Sequence, residues 1–526
     1  MRSPSQLPRL CFGAALTLIA AAGATEPAMA ALEVYEGPPL PASIQLKDPP
    51  MLQAEVAAGR LPPIEQRMPK LPCVIPLGGE RTAGQPGGQL RTLISKAKDT
   101  RLLVVYGYAR LIGFDENLNL VPDILARVEV EDGRIFTLRL REGHRWSDGH
   151  PFTSEDFRYY WEDVANNENL SPTGPPSEML VEGEAPAVEY LDEVTVRYAW
   201  SRPNPTFLTA LAGARPLFIY QPAHYLKQFH ARYVDEAALN AMAEETGARN
   251  WAAMHNRKDN QYHFDNPDLP TLQPWINTTR PPSERILAVR NPYYHRIDPA
   301  GYQLPYIDNV LMQIAGTSLI PAKTGAGDSD LQARGLNFSD YTFLKAGEKR
   351  SGYQVNLWRT VRGSEVALYP NLNANDPAWR ALFRDVRFRR ALSLGIDRHE
   401  LNQVIYFGLG LEGNQSILPG SSLYKAGYRG SYAEYAPQEA NRLLDELGLT
   451  ERSGDGLRLL PDGRPMEIIV ETAGENTEEV DLLELIHDTW LKLGIKLYSK
   501  PSQREVLRNR IFSGDTLVSM WFGYEN

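Results

Sequence analysis

The sequence predicts an α/β protein of more than one domain, and three observations carry that prediction. The first is Leu138–Val164 with the residues just before it. Phe136, Leu138 and Leu140 alternate with Thr137, Arg139 and Arg141 as a strand, and Phe157, Tyr160, Trp161 and Val164 then repeat at helical spacing. The second is Met466–Tyr498, where apolar Met466–Val470, a helical pattern over Val480–Leu493 stopped by Gly494, and apolar Ile495–Tyr498 follow in order. Strand, helix and strand spell a βαβ unit, whose two strands must run parallel. The third is length: 526 residues are too many for one compact core and fit two or three domains.

Taken from the N-terminus, residues 1–30 read as a signal peptide. Arg2 and Arg9 make a basic start, Leu10–Ala22 is apolar except for Thr17, and Ala28-Met29-Ala30 fits the small-residue cleavage rule. The mature chain then begins at Ala31 and is exported, because no later stretch has the roughly 20 apolar residues of a membrane span. Cys11 has no lipobox after it, and Cys73, the one cysteine left, has no partner for an intrachain disulfide. Residues 31–85 are rich in Pro without periodicity and read as an extended arm over the surface, or partly disordered. Leu90–Ser95 reads as the first core strand, and Leu102–Tyr108 follows as an apolar segment.

Ser147-Asp148-Gly149 supplies turn chemistry, and Pro151 blocks an early helix start. Thr153 with Asp156 forms a capping pair for the next helix, and Phe152 with Phe157 has the spacing of a hydrophobic staple. Loop signals fill 171–186, Thr195–Ala199 reads as a strand, and Pro203–Leu208 opens a helix. Farther on, Asp385 and the Asp397/Glu400 pair cap successive helices, and Pro437 and Gly448 bracket another.

Several chemistries fall away at this level. The net charge of -10 leaves no basic excess for nucleic acid. Gly408, Gly410 and Gly413 satisfy G-x-G-x-x-G by letter, but a helix precedes them and none follows, so the dinucleotide context is absent. His399-Glu400 lacks the second histidine of a zinc protease, since position 403 is Gln, and the nine histidines show no metal-ligand spacing. There is no G-x-S-x-G elbow. Glu162-Asp163 reads as helix surface. No catalytic residue, metal or cofactor is expected.

As a string, Leu140-Arg141-Glu142-Gly143, Trp146-Ser147-Asp148-Gly149, Pro151-Phe152-Thr153, Glu155-Asp156-Phe157 and Trp161 closely resemble the signature of the extracellular solute-binding proteins of family 5, the peptide- and nickel-binding type that serve ABC importers. Further stretches resemble the same family: Gly87-Gly88 with Leu90, Leu120–Ala126, Arg285–Tyr294, Leu304–Asp308 and Phe383–Leu392. The resemblance runs from about Gly87 to Tyr524. It implies a two-lobed periplasmic-binding-protein fold with a small extra subdomain on the first lobe. On that fold, 86–110 with 190–332 would form lobe I, 111–189 its subdomain, and 333–526 lobe II. The family ordinarily continues past the Trp521 strand, so lobe II would be incomplete at Asn526, as a truncated sequence or a protein without the return crossing.

The function implied is that of a monomeric periplasmic receptor, not an enzyme. It would hold a small-molecule or peptide-like ligand between lobes that close about a hinge, and deliver it to an inner-membrane ABC permease. The rivals are a secreted, glycosidase-like hydrolase, which would turn its ligand over, and a periplasmic sensor or chaperone using the same fold. In the family's peptide receptors the segment at Trp521 reads Trp-x-Gly/Ala-Asp, and the Asp pairs with the ligand's α-ammonium. Here the chain reads Trp521-Phe522-Gly523-Tyr524. A phenol is neutral at pH 7 and cannot replace that charge-assisted bond. Glu525 alternates to the opposite face. The expected ligand is therefore a modified peptide or an oligosaccharide stacked on Trp521, with Tyr524 and Asn373 offering hydrogen bonds. Tyr106 and Tyr108 are further candidate contacts, since aromatic side chains give rigid area to small polar ligands.

The export reading has a direct check. N-terminal sequencing of protein recovered from the periplasm should begin at or near Ala31, and a cytoplasmic product retaining Met1 would refute it.

Overall fold

In the computed structural model, which describes residues 32–37, 44–474 and 478–524, the strand at 135–140 and the helix from 154 lie where the alternation and the cap place them. The Thr153 hydroxyl accepts from Glu155 N at 3.3 Å, and the Asp156 carboxylate accepts from Thr153 N at 3.0 Å, closing the capping box. Phe152 and Phe157 are both buried with ring centres 5.6 Å apart, and Tyr220 packs edge-on to Phe152. The staple therefore exists, and it is the middle of the main core of the first unit.

Beyond Arg158 the helix departs from a simple α pattern. Tyr159–Ala165 winds as a π-helix, and each such turn takes up an extra residue. The buried face widens as a result: Phe157, Tyr160 and Val164 are buried as the spacing predicts, Tyr159 is fully buried beside them, and Trp161 is half-buried against the core. Asp163 is also turned inward, against the expectation that Glu162-Asp163 is helix surface. Its carboxylate accepts from Arg158 Nη2 at 3.1 Å and from the Tyr233 hydroxyl at 2.6 Å, and pairs with Arg232.

Two compact units make up the chain, Met1–Ile314 and Ala315–Asn526. The first contains an antiparallel five-stranded sheet in the order 32–36, 125–131, 135–140, 195–199 and 187–192. It also contains a four-stranded sheet, Trp275–Asn277, Arg285–Arg290, Asn309–Ile314 and Gln89–Ile94, whose last pair is parallel. The second unit has a four-stranded sheet in the order Ala367–Pro370, Val518–Trp521, Glu467–Thr472 and Lys496–Pro501. The βαβ reading holds there: Glu467–Thr472 pairs in parallel with Lys496–Pro501, and the helix Glu478–Leu491 lies between them in sequence. Buried Trp490 ties that helix to its neighbour by donating its indole N–H to Leu392 O at 3.1 Å. Asp385 and Asp397 cap their helices, and Pro437 opens the helix that ends at Glu446.

Three boundaries differ from those the sequence suggests. Leu32–Glu36 is a strand on the edge of the five-stranded sheet, and Cys73–Val74 pairs in parallel with Arg296–Ile297, so much of the Pro-rich arm is bonded into the first unit. The five-stranded sheet includes both 187–192 and 195–199, so its hairpin crosses the boundary expected after residue 189. Finally, the first unit ends at Ile314, not at 332. After that strand, the helix Ile320–Gly325 packs with Tyr341–Ser351, and the Ser351 hydroxyl donates to Gly325 O at 2.7 Å, which assigns 315–332 to the second unit. The signal-peptide residues 1–30 and Glu525 lie outside the described residues. Among the described residues no helix is long and apolar enough to cross a membrane.

The widened face sets an order of mutational costs. Thr153→Ala should destabilise by about 1 kcal/mol, the usual cost of a lost cap. Phe157→Ala should cost about 3–5 kcal/mol, and Trp161→Ala clearly less, in urea melts. Equal costs for Phe157 and Trp161 would contradict the half-buried place of the indole.

Candidate functional site

Val518–Trp521 lies between an antiparallel and a parallel neighbour, with Trp521 opposite Ala367 and Val518 opposite Pro370. Val518 and Met520 point into the core, which leaves Ser519 and Trp521 on the other face. Past Trp521 the backbone is pinned. Gly523 N donates to Ser364 O at 2.9 Å, Gly363 N donates to Tyr524 O at 2.8 Å, and Tyr524 N donates to the Gln415 side chain at 3.0 Å. Only glycine fits at 523, since an added Cβ would fall 2.4 Å from Ser364 N. The Tyr524 ring is left 62% exposed, so the side chain at the expected carboxylate position faces outward from a fixed backbone.

Two guanidinium groups lie over the aromatic rings of this strand end. The Arg504 guanidinium lies 4.8 Å from the Trp521 ring centre and Arg362 lies 3.7 Å from that of Phe522. Glu365, the carboxylate beside this segment, sits 3.6 Å from Arg362.

Asn373 is not brought to this end. The antiparallel ladder runs from Ala367↔Trp521 to Pro370↔Val518, and Asn373 follows Pro370, at the far end. There its carbonyl oxygen accepts from Arg384 at 3.1 Å, and with Tyr369, Asn371, Ile511, Thr516 and Ser519 it lines a hollow of about 310 Å3.

In the first unit, Tyr106 lies on the helix Leu102–Gly107 and is 40% exposed. Tyr108, at the helix end with φ 44°, is committed to the fold: its hydroxyl donates to Ala212 O at 2.7 Å and accepts from Phe114 N at 3.0 Å. Sequence reasoning missed a small hollow of about 60 Å3 beside this helix. Val104, His263, Asn266, Thr271, Gln273 and Trp275 are among its walls, drawn from separated segments that no local pattern joins.

Close by in sequence, buried Asp123 gathers a charged cluster. It accepts from His295 Nε2 at 2.7 Å, from Arg296 Nε at 2.8 Å and Nη2 at 2.6 Å, and from Arg110 N at 2.9 Å. Burial pushes the Asp123 carboxyl up, but Arg296 and His295 outweigh it and hold the group well below the usual range. Burial also raises the Cys73 thiol to about 11, which makes it an inert, apolar filling. Among the described residues no group of three or more His, Cys, Asp or Glu side chains is placed to hold a metal ion.

Two α/β units around separate sheets, with a hydrogen-bonded aromatic strand end, define a periplasmic-binding-protein fold. The chain belongs to the bacterial extracellular solute-binding proteins, family 5, whose middle-region model matches residues 119–524. Among relatives, the periplasmic alpha-galactoside-binding protein of Rhizobium meliloti is 26% identical over 490 residues, 84% of this chain and 66% of that one. The periplasmic oligopeptide-binding protein OppA of Escherichia coli is 24% identical, covering 62% of this chain and 55% of its own. The chain thus spans two thirds or less of the length of these relatives. Among solved structures, an oligopeptide-binding protein OppA superposes with a TM-score of 0.69 at 32% identity, over 91% of this chain and 75% of the other. The periplasmic binding protein MelB of Agrobacterium fabrum C58, in complex with stachyose, gives 0.66 at 22% identity over 94% and 75%.

The buried histidines give a pH prediction. Burial lowers the proton affinity of His144, His295 and His255, the last to about 3, with Arg141 and His295 adding to the effect at His144. Each binds its proton more readily in the unfolded chain, so the stability it contributes is present above the ordinary value of 6.5 and is lost as pH falls below it. Two carboxyls oppose them over part of this range, Asp156, which burial raises to about 6, and Asp259, which burial raises well above the usual carboxylate range. Tm should fall from pH 7 to pH 5, each uncompensated proton contributing about 1.4 kcal/mol per pH unit at most. A flat or rising Tm over that range would refute the assignment.

Proposed function

We propose that the protein is the exported solute-binding component of an ABC importer and that its ligand is a neutral oligosaccharide of the α-galactoside kind. The observation that carries the ligand class is Tyr524: a neutral, exposed phenol on a pinned backbone where a peptide receptor would present a carboxylate. The similarity, over 84% of this chain, to a protein named for binding alpha-galactosides supports it. Trp521 supplies the flat apolar surface against which a sugar ring packs. Ligand binding shifts a conformational equilibrium that the membrane permease reads, and the ligand leaves unchanged.

Capture of an oligopeptide is the second reading, favoured by the 32% identity to an oligopeptide-binding protein over 91% of this chain. Calorimetry separates the two. Stachyose and raffinose should bind with roughly micromolar affinity, and Trp521→Ala should weaken them at least about tenfold, or 1.4 kcal/mol. Free tripeptides bound at micromolar level, with binding lost on N-acetylation, would establish the peptide reading instead. Mass spectrometry after incubation should recover the sugar intact, and cleavage products would indicate a hydrolase.

A further inference from the structure

The larger hollow, in the second unit, shares a wall with the Trp521 strand end. Tyr369 lies opposite Ser519 in the antiparallel ladder, so both side chains stand on one face of the sheet, the face that also carries Trp521. Both line the hollow. Tyr369 then reaches toward the strand end: its hydroxyl lies within hydrogen-bond distance of Phe522 O, at 2.6 Å, and of the Gln415 side-chain oxygen, at 2.8 Å. That same oxygen accepts from Tyr524 N at 3.0 Å. One side chain therefore connects the wall of the hollow to the segment Trp521–Tyr524.

The lining is mixed and uncharged. Tyr369, Pro370, Leu372 and Ile511 supply apolar surface, and no Asp, Glu, Lys or Arg is among the walls. Ser519 and Asn373 supply polar groups that the fold leaves unused. The Ser519 hydroxyl has no hydrogen-bond partner among the described residues. Arg384 donates to Leu372 O at 2.7 Å and to the Asn373 side-chain oxygen at 3.1 Å. A guanidinium only donates, so this contact fixes which end of the amide is which and leaves the Asn373 NH2 as an unused donor. The wall is also held in place. Asn371 N donates to Leu517 O at 2.8 Å, its side chain donates to Thr516 O at 3.0 Å, and Asn375 N donates to Gly514 O at 2.8 Å. The volume of about 310 Å3 stands at the lower end of the roughly 300–1,000 Å3 of ligand pockets, room for one ring and not for a whole tetrasaccharide. What matches is a neutral, hydroxylated ring with an apolar face, whereas an ammonium would find no counter-charge on this lining.

We infer that this hollow is a second ring subsite, and that Ser519 and Asn373 are specificity-determining residues which hydrogen-bond the hydroxyls of a sugar unit linked to the one packed on Trp521. The inference rests on the oligosaccharide reading and adds to it a lower limit on ligand length. Ser519 and Trp521 are two residues, or about 7 Å, apart along one strand face, a step comparable with the length of one sugar unit. A single ring fills one position only, and a chain of two or more rings fills both. The second ring of a linked pair arrives already tethered, so its contacts add affinity that a lone ring does not gather. Asn373 donates to a sugar oxygen, and the Ser519 hydroxyl donates or accepts as the sugar requires.

The test uses the full chain and a series that adds one ring at a time: methyl α-galactoside, melibiose, raffinose and stachyose. In calorimetry, the wild-type protein should bind stachyose at least about tenfold more tightly than methyl α-galactoside. The double variant Ser519→Ala/Asn373→Ala should weaken stachyose at least about tenfold and narrow that gap, while melting near the wild-type Tm. In a crystal structure of the wild-type stachyose complex, a sugar ring should occupy the hollow with oxygens within hydrogen-bond distance of Ser519 Oγ and Asn373 Nδ2, a readout that needs no variant to fold. Equal affinity for one ring and for four, unchanged stachyose affinity in the double variant, or a crystal in which only water fills the hollow while stachyose is bound elsewhere would each overturn the subsite and leave the oligosaccharide reading standing. Wild-type protein that binds no member of the series would overturn both.

Discussion

A carboxylate taken out of water must be neutralised where it sits, and in the first unit that carboxylate is Asp123. Four hydrogen bonds reach its two oxygens, from Arg296, His295 and the Arg110 backbone, while its own carbonyl accepts from Arg141 Nε at 2.7 Å. The partners do further work. Arg141 donates to Leu71 O at 2.7 Å and Arg296 to Tyr108 O at 2.5 Å, so the chain near residues 71, 108, 123, 141 and 295 is tied at one point. Removing one member would strand the others as buried charges, which typically costs about 3–5 kcal/mol. The arm, the end of the Tyr106 helix and the signature strand are all held in register by this cluster. The wall that carries Gln273 is anchored a few residues away, through Ala109.

Much of the fold was legible in the sequence because its signals were local. The Thr153–Asp156 box, the Phe152–Phe157 staple, the Asp385 and Asp397 caps and the Pro437 start all depend on residues within four positions of one another. The βαβ unit was legible for the same reason, since a helix between two short apolar runs forces parallel pairing. What could not be read was long-range. Nothing near Cys73 announces that it pairs with Arg296, and nothing near Leu32 announces Glu131. The π-helix at Tyr159–Ala165 limited the periodicity argument: Phe157, Tyr160 and Val164 are buried as expected and Trp161 packs half-buried against the core, but Tyr159 and Asp163 also turn inward.

The candidate site shows the same division. Trp521 and Tyr524 sit near each other because they share a strand end, which the sequence could state, and that residue 524 is Tyr needed no structure. The place of Asn373 at the other end of the ladder from Trp521 could not be read, because it depends on the direction of pairing between strands far apart in the chain. Tyr108 was over-read: an aromatic in an apolar segment gives no hint that its hydroxyl closes a turn.

The strand order of the second unit also bears on how that unit is made. Val518–Trp521 is the latest of its four strands in the chain, yet it lies between Ala367–Pro370 and Glu467–Thr472. Until it arrives, Ala367–Pro370 has no neighbour in the sheet, and one edge of Glu467–Thr472 stays open. The four-stranded sheet of the first unit has the same order, since its latest strand, Asn309–Ile314, lies between Arg285–Arg290 and Gln89–Ile94, but it is complete by Ile314. During synthesis one half of the molecule can reach its native state while the other remains an unclosed, high-contact-order intermediate. Chaperone demand and premature self-association should therefore fall on the second half, and misfolded material should carry a native first unit.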